Sequence, residues 1–206
     1  AGTTTGTNAV ERYDANANAW TTLAPMPVTR VNATATYDGL GHILVIGGVD
    51  PATTLPTTTV YSYDIAADTW SQLGNAPSSA IGANAGRVAV LGADGMAYLI
   101  GGMSAAQIAS TEVFMYDPAL FEWFTGPSLT IGRGTPAVAL GNDGFIYAMG
   151  GDETFNGGGG NNGQATVEKL DTSTPHAPRI TSAPGTTVQA GSPFSYQIFA
   201  PGNPRP

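Results

Sequence analysis

Short β-prone runs of four or five residues recur along the chain, and turn residues separate them. Residues 33–37 and 42–46 flank Asp38-Gly39 and read as a hairpin. Residues 60–63 and 69–73 follow as third and fourth strands. The series returns at 88–91, 97–100, 112–116 and 122–124, with Asp94-Gly95 at its first turn. It returns again at 137–140 and 145–149 around Asn142-Asp143-Gly144, with 167–170 as a third strand. No segment sustains a 3.6-residue apolar period, so the pattern predicts strands throughout.

Two landmarks recur in step with the strands. Glycine doublets follow apolar strands at Ile46-Gly47-Gly48, Ile100-Gly101-Gly102 and Met149-Gly150-Gly151, with first glycines 54 and 49 residues apart. Tyr13-Asp14, Tyr63-Asp64 and Tyr116-Asp117 are each followed, six residues after the Asp, by Trp20, Trp70 and Trp123. Leu170-Asp171 is a weaker fourth copy with no Trp. All three tryptophans of the chain therefore occupy one slot of a repeat of about 50 residues.

Four strands per period, a glycine doublet and a spaced Tyr–Trp pair over residues 10–171 resemble the kelch β-propeller family. The resemblance implies an all-β fold, a kelch-type β-propeller arc of four-stranded antiparallel blades. The physics of each landmark agrees with it. Two glycines suit a place where a side chain would obstruct close packing or a φ > 0 turn. A Trp on the outer strand can pack on the Tyr of its neighbour strand. Tyr, Asp and Trp are therefore expected to be structural.

Residues 10–23 supply the last two strands of a blade, two full blades follow at 30–73 and 80–125, and 133–171 give three strands of another. About three blades' worth of strands falls short of the roughly four to eight at which propellers close. The expectation is that the chain is part of a longer polypeptide, the alternative being that two arcs associate, with the tail as an exchanged element. Either the remaining blades of the same chain or a second copy would then close the ring. Domain boundaries follow: a partial propeller at 1–171, a linker at 172–178, and at 179–206 a segment resembling the start of a bacterial immunoglobulin-like or cadherin-like module. Phe194, Tyr196 and Ile198 alternate there as in a half-buried strand.

Composition narrows the function classes. Only 11% of the 206 residues are charged and the net charge is −8, with a single lysine at Lys169 and 26 threonines. The seven basic residues are scattered, so no basic stripe is present to meet nucleic-acid phosphates. No apolar run is long enough to span a bilayer. An acidic, Lys-poor, Thr- and Gly-rich surface points to a secreted or cell-surface protein.

Candidate chemistry is sparse. Cysteine is absent, and the two histidines, His42 and His176, stand alone. The extracellular copper radical oxidases of the kelch superfamily need a cysteine-linked tyrosine and two histidines, so no metal site or cofactor is expected from these residues. Asp38, Asp94 and Asp143 sit at turns, where Asp tolerates φ > 0 and bonds its own backbone, so no catalytic carboxylate pair stands out. The loop at 156–163 is Gly- and Asn-rich but lacks the Lys and helix of a phosphate cradle.

The candidate ligand-binding residues come from comparing copies. Seventeen positions before each doublet's first glycine stand Arg30, Asn84 and Arg133. In kelch proteins this slot opens the innermost strand and sends polar side chains into the binding mouth. Two guanidiniums there make a clamp for an anion or sugar hydroxyls, or else each ties down neighbouring carbonyls. The resulting reading is a non-catalytic extracellular binding module for a glycan or a surface protein. The competing readings are a fragment of a carbohydrate oxidase or sugar epimerase with active residues in absent blades, and a structural part of a cell-surface or fibrous assembly.

Overall fold

The computed structural model describes residues 6–77, 86–104, 108–153 and 163–173; the immunoglobulin-like segment and most of the linker lie outside them. The described residues form thirteen strands and no helix. Sheet I holds β1 (Val10–Asp14) and β2 (Ala19–Leu23). Sheet II holds β3 (Thr34–Tyr37), β4 (His42–Ile46), β5 (Val60–Asp64) and β6 (Thr69–Gln72) in sequence order. Sheet III repeats this with β7 (Arg87–Leu91), β8 (Ala97–Gly101), β9 (Val113–Asp117) and β10 (Glu122–Thr125). Sheet IV has β11 (Ala137–Leu140), β12 (Phe145–Met149) and β13 (Val167–Asp171). All pairings are antiparallel between chain neighbours.

The repeat seen in sequence is a repeat of register. Tyr13, Tyr63 and Tyr116 lie directly opposite Trp20, Trp70 and Trp123. Their rings tilt against each other at centroid separations of 5.2, 5.0 and 5.0 Å. Side chains alternate across each strand, so every sheet has two distinct faces. The front face carries the Tyr–Trp pair, and the back face carries the alternate residues.

Fronts pack on backs. Leu44, Ile46 and Val60 on the back of sheet II meet Ala97, Leu99, Phe114 and Tyr116 on the front of sheet III. Tyr98, Ile100, Val113 and Met115 on the back of sheet III meet Ile146 and Ala148 on the front of sheet IV. Innermost strand β7 lies between β3 and β11, and the Ala89 amide donates to Thr34 Oγ1 at 2.9 Å. The core is thus a succession of sheet-to-sheet layers, the large aromatic and branched side chains supplying most of the buried apolar area.

Sheets I and II are locked by a polar clamp. Tyr63 donates its hydroxyl to Asp68 Oδ1 at 2.6 Å, which also accepts the Ala24 amide at 2.9 Å. The Trp70 indole donates to the Ala24 carbonyl at 2.9 Å. One residue beyond β2 is therefore held by both its backbone groups. The acceptor stands two residues before the Trp, at a tight turn with φ of 49° at Asn18, 53° at Asp68 and 58° at Phe121.

Phe121 fits that slot poorly. A bulky residue is costly in the left-handed region, whereas Asn and Asp tolerate it. Phe121 also offers no acceptor, and the enclosed Tyr116 hydroxyl and Trp123 indole N–H have no partner. Its ring is 68% exposed, so little burial is lost by changing it. Phe121→Asn is expected to stabilise the protein by about 1–2 kcal/mol, combining relief of backbone strain with one new hydrogen bond. Thermal melting checks this; an unchanged or lower midpoint contradicts it.

Candidate functional site

Each of Arg30 and Arg133 lies at the glycine-doublet end of its own sheet. Arg30 and Arg133 occupy matched positions, because isolated bridges pair Val31 with Val49 and Gly134 with Asp152, one residue past each arginine. Asn84, the third member of the slot, lies outside the described residues. The doublet glycines all have positive φ, from 62° at Gly150 to 95° at Gly102. The chain turns sharply there, and at Gly150 the turn presents a carbonyl to Arg133.

Arg133 has no exposed surface, and all five of its guanidinium donors are engaged. Nη1 donates to the Gly150 carbonyl at 2.6 Å and the Thr166 carbonyl at 3.0 Å. Nη2 donates to Thr166 Oγ1 at 2.7 Å and Glu168 Oε1 at 3.1 Å, and Nε reaches the same oxygen at 3.2 Å. Burial raises the Glu168 carboxyl, but the hydrogen bonds from the Thr130 amide, Arg133 and the Ile131 amide outweigh it and hold the group below its usual range. In this arrangement Arg133 ties β11 to the β12–β13 connection and has no donor left for a ligand.

Arg30 differs. Nη1 donates to the Thr29 carbonyl at 2.8 Å and Nη2 to Thr59 Oγ1 at 3.1 Å. Nε is enclosed without a partner. By strand register Thr59 is the counterpart of Thr166, and Tyr61 is the counterpart of Glu168. At the register position of the carboxylate that completes Arg133, sheet II carries the phenol of Tyr61. The half-buried Arg30 guanidinium has an oxygen partner on each terminal nitrogen and, among the described residues, no anionic partner.

Sheet III uses another solution, which comparison at a single spacing does not reveal. Arg87, three positions after the slot of Asn84, pairs with Glu112 at 2.8 Å. Its guanidinium also lies 5.2 Å from the Phe114 ring centroid. Matching residues through strand partners, with Glu112, Thr59 and Thr166 in one row, brings this pair to light.

Outside this end, His42 Nδ1 lies 2.8 Å from Asp38 Oδ2. Asp38 also accepts the Leu40 and His42 amides at 2.7 and 2.9 Å. The pair braces the β3–β4 turn. His176 and most of the 156–163 loop lie outside the described residues. Among the described residues no three His, Asp or Glu side chains are grouped as metal ligands, and no helix is long and apolar enough to cross a membrane.

No curated protein matches the chain. Residues 30–77, which contain all of sheet II, match the family model for the kelch motif. The match joins the glycine doublet at 47–48, the Tyr63–Trp70 pair and the four antiparallel strands in one unit. Sheet II with its flanking segments is thus similar to a kelch repeat.

Proposed function

We propose that this chain is a non-catalytic interaction module of a secreted or cell-surface protein, recognising a glycan or a surface protein through the loop end that carries Arg30. The observation that carries this reading is the contrast between matched arginines. Arg133 is saturated by its own sheet, whereas Arg30 spends one N–H of each terminal nitrogen on the protein and keeps the second of each, with its positive charge, for a ligand. A planar guanidinium with free donors suits a carboxylate or paired sugar hydroxyls. The kelch motif supports an interaction role. Asn84, the third residue of the sequence slot, is part of the proposal by spacing alone, and further blades or a second copy would extend the mouth.

The test is binding to immobilised glycans and surface proteins, with Arg30→Ala as the variant. Removing a charged hydrogen-bond donor is expected to weaken binding roughly ten- to hundredfold. The melting midpoint should stay close to wild type, because only two hydrogen bonds of a half-buried side chain are lost. Undiminished binding, or a melting loss as large as that of Arg133→Ala, contradicts the reading.

A further inference from the structure

The two ends of the arc leave one front face and one back face bare. In sheets II and III the front-face tyrosines Tyr63 and Tyr116 are buried, whereas on sheet I Tyr13 is 46% and Trp20 67% exposed. On the back of sheet III, Ile100 and Val113 are buried; their register counterparts on sheet IV, Met149 and Val167, are 36% and 59% exposed. Each bare residue has a covered twin elsewhere in the same chain. For Tyr116, Ile100 and Val113 the cover is a front face meeting a back face; beside Tyr63, Asp68 and Trp70 bond the Ala24 segment of sheet I.

The polar parts of the bare front face are already set. Tyr13 donates to Asn18 Oδ1 at 2.6 Å, as Tyr63 does to Asp68. Trp20 is stacked on Tyr13 with the geometry of the Tyr63–Trp70 pair. Charge agrees as well. On the back of sheet I, Arg12 faces Asp68 of sheet II and adds to the Tyr63 and Ala24 hydrogen bonds that hold the Asp68 carboxyl below its usual range. Lys169 holds the same register position on sheet IV, and the exposed Glu11 lies on the front of sheet I.

We infer that the exposed front of sheet I docks on the exposed back of sheet IV of a second copy of this chain, head to tail. The contact continues the sheet-on-sheet series already present within one chain. It is heterologous, so it closes only if the turn spanned by the copies completes a circle. Two copies bring eight sheets, four of them complete four-stranded blades, against the roughly four to eight blades of closed propellers.

Light scattering on the 206-residue chain tests this with two single-face variants, Trp20→Asp and Val167→Asp. Both side chains are largely exposed, so at a dilution where wild type is a single chain, circular dichroism and melting should match wild type. Wild type is expected to show twice the 20.9 kDa chain mass or more. Each variant alone should associate at least about tenfold more weakly, because each lacks one central contact. An equimolar mixture of the two should recover a complex, since one intact front then meets one intact back. A wild-type monomer at high concentration overturns the proposal. So does either variant associating like wild type, or a mixture no heavier than its parts; these results assign the bare faces to a different partner or to none.

Discussion

Arg133→Ala is expected to lower the melting midpoint by roughly 10 °C, the largest loss of any single polar substitution in the described residues. The side chain is fully buried and makes five hydrogen bonds, two of them to Glu168. Alanine strands the Gly150 and Thr166 carbonyls, the Thr166 hydroxyl and a mostly buried carboxylate. Breaking one side of such a pair costs about 3–5 kcal/mol, and a chain of this size loses roughly 2–4 °C per kcal/mol. Arg133→Lys keeps the charge but not the planar fork, so it should recover only part of the loss. The effect depends on pH. The folded Glu168 carboxyl sits below its unfolded value, so its contribution is complete above the unfolded value and fades as pH falls through the folded one. The gap between wild type and Arg133→Ala should therefore narrow in acid. A midpoint shift no larger than that of Arg30→Ala contradicts the assignment.

Gly48→Ala is expected to destabilise by at least about 3 kcal/mol, from left-handed strain and collision with backbone. Gly48 has φ of +83°, and an added Cβ would lie 2.8 Å from the Val31 carbonyl oxygen and 2.9 Å from the Ala33 nitrogen. Both belong to the segment entering β3, so neither can swing aside as a side chain could. The same segment holds the bridge between Val31 and Val49 and carries Arg30. The substitution should therefore impair ligand binding along with stability. Gly41→Ala is the control: its φ is also positive, at +106°, but nothing lies within 4 Å of the added carbon. Chemical denaturation should show a clearly smaller loss for Gly41→Ala. Equal losses would reduce the doublet's requirement to backbone conformation alone.

The strands, their order and the Tyr–Trp pairing were legible because each rests on local chemistry. Asp-Gly turns fix the hairpins, and alternation fixes the faces. A slot filled by all three tryptophans marks one position in three of the four copies. The doublets were legible for the same reason, since few residues other than glycine take two consecutive positive φ values. The candidate site was legible only in part. Equal spacing found Arg30 and Arg133 as counterparts, yet their different states depend on residues some 30 positions onward, Tyr61 and Glu168, which only strand register aligns. Arg87 was hidden because it reaches a matching partner from a position three residues later. The clamp on Ala24 was invisible because one half of it is backbone, which carries no sequence signature. The segment at 179–206 lies outside the described residues.

The central claim is that one unit repeats with fronts packed on backs, leaving the front of sheet I open. Acrylamide quenching of two single-tryptophan proteins tests it most directly. One keeps only Trp20 and the other only Trp70, with phenylalanine at the remaining positions, studied at a dilution where light scattering gives a single chain. Trp20 should quench nearly as free indole does, Trp70 should be protected by the Ala24 segment, and Trp20 should gain protection as concentration rises. Equal protection of both tryptophans in the single chain would contradict the repeat-and-open-end architecture.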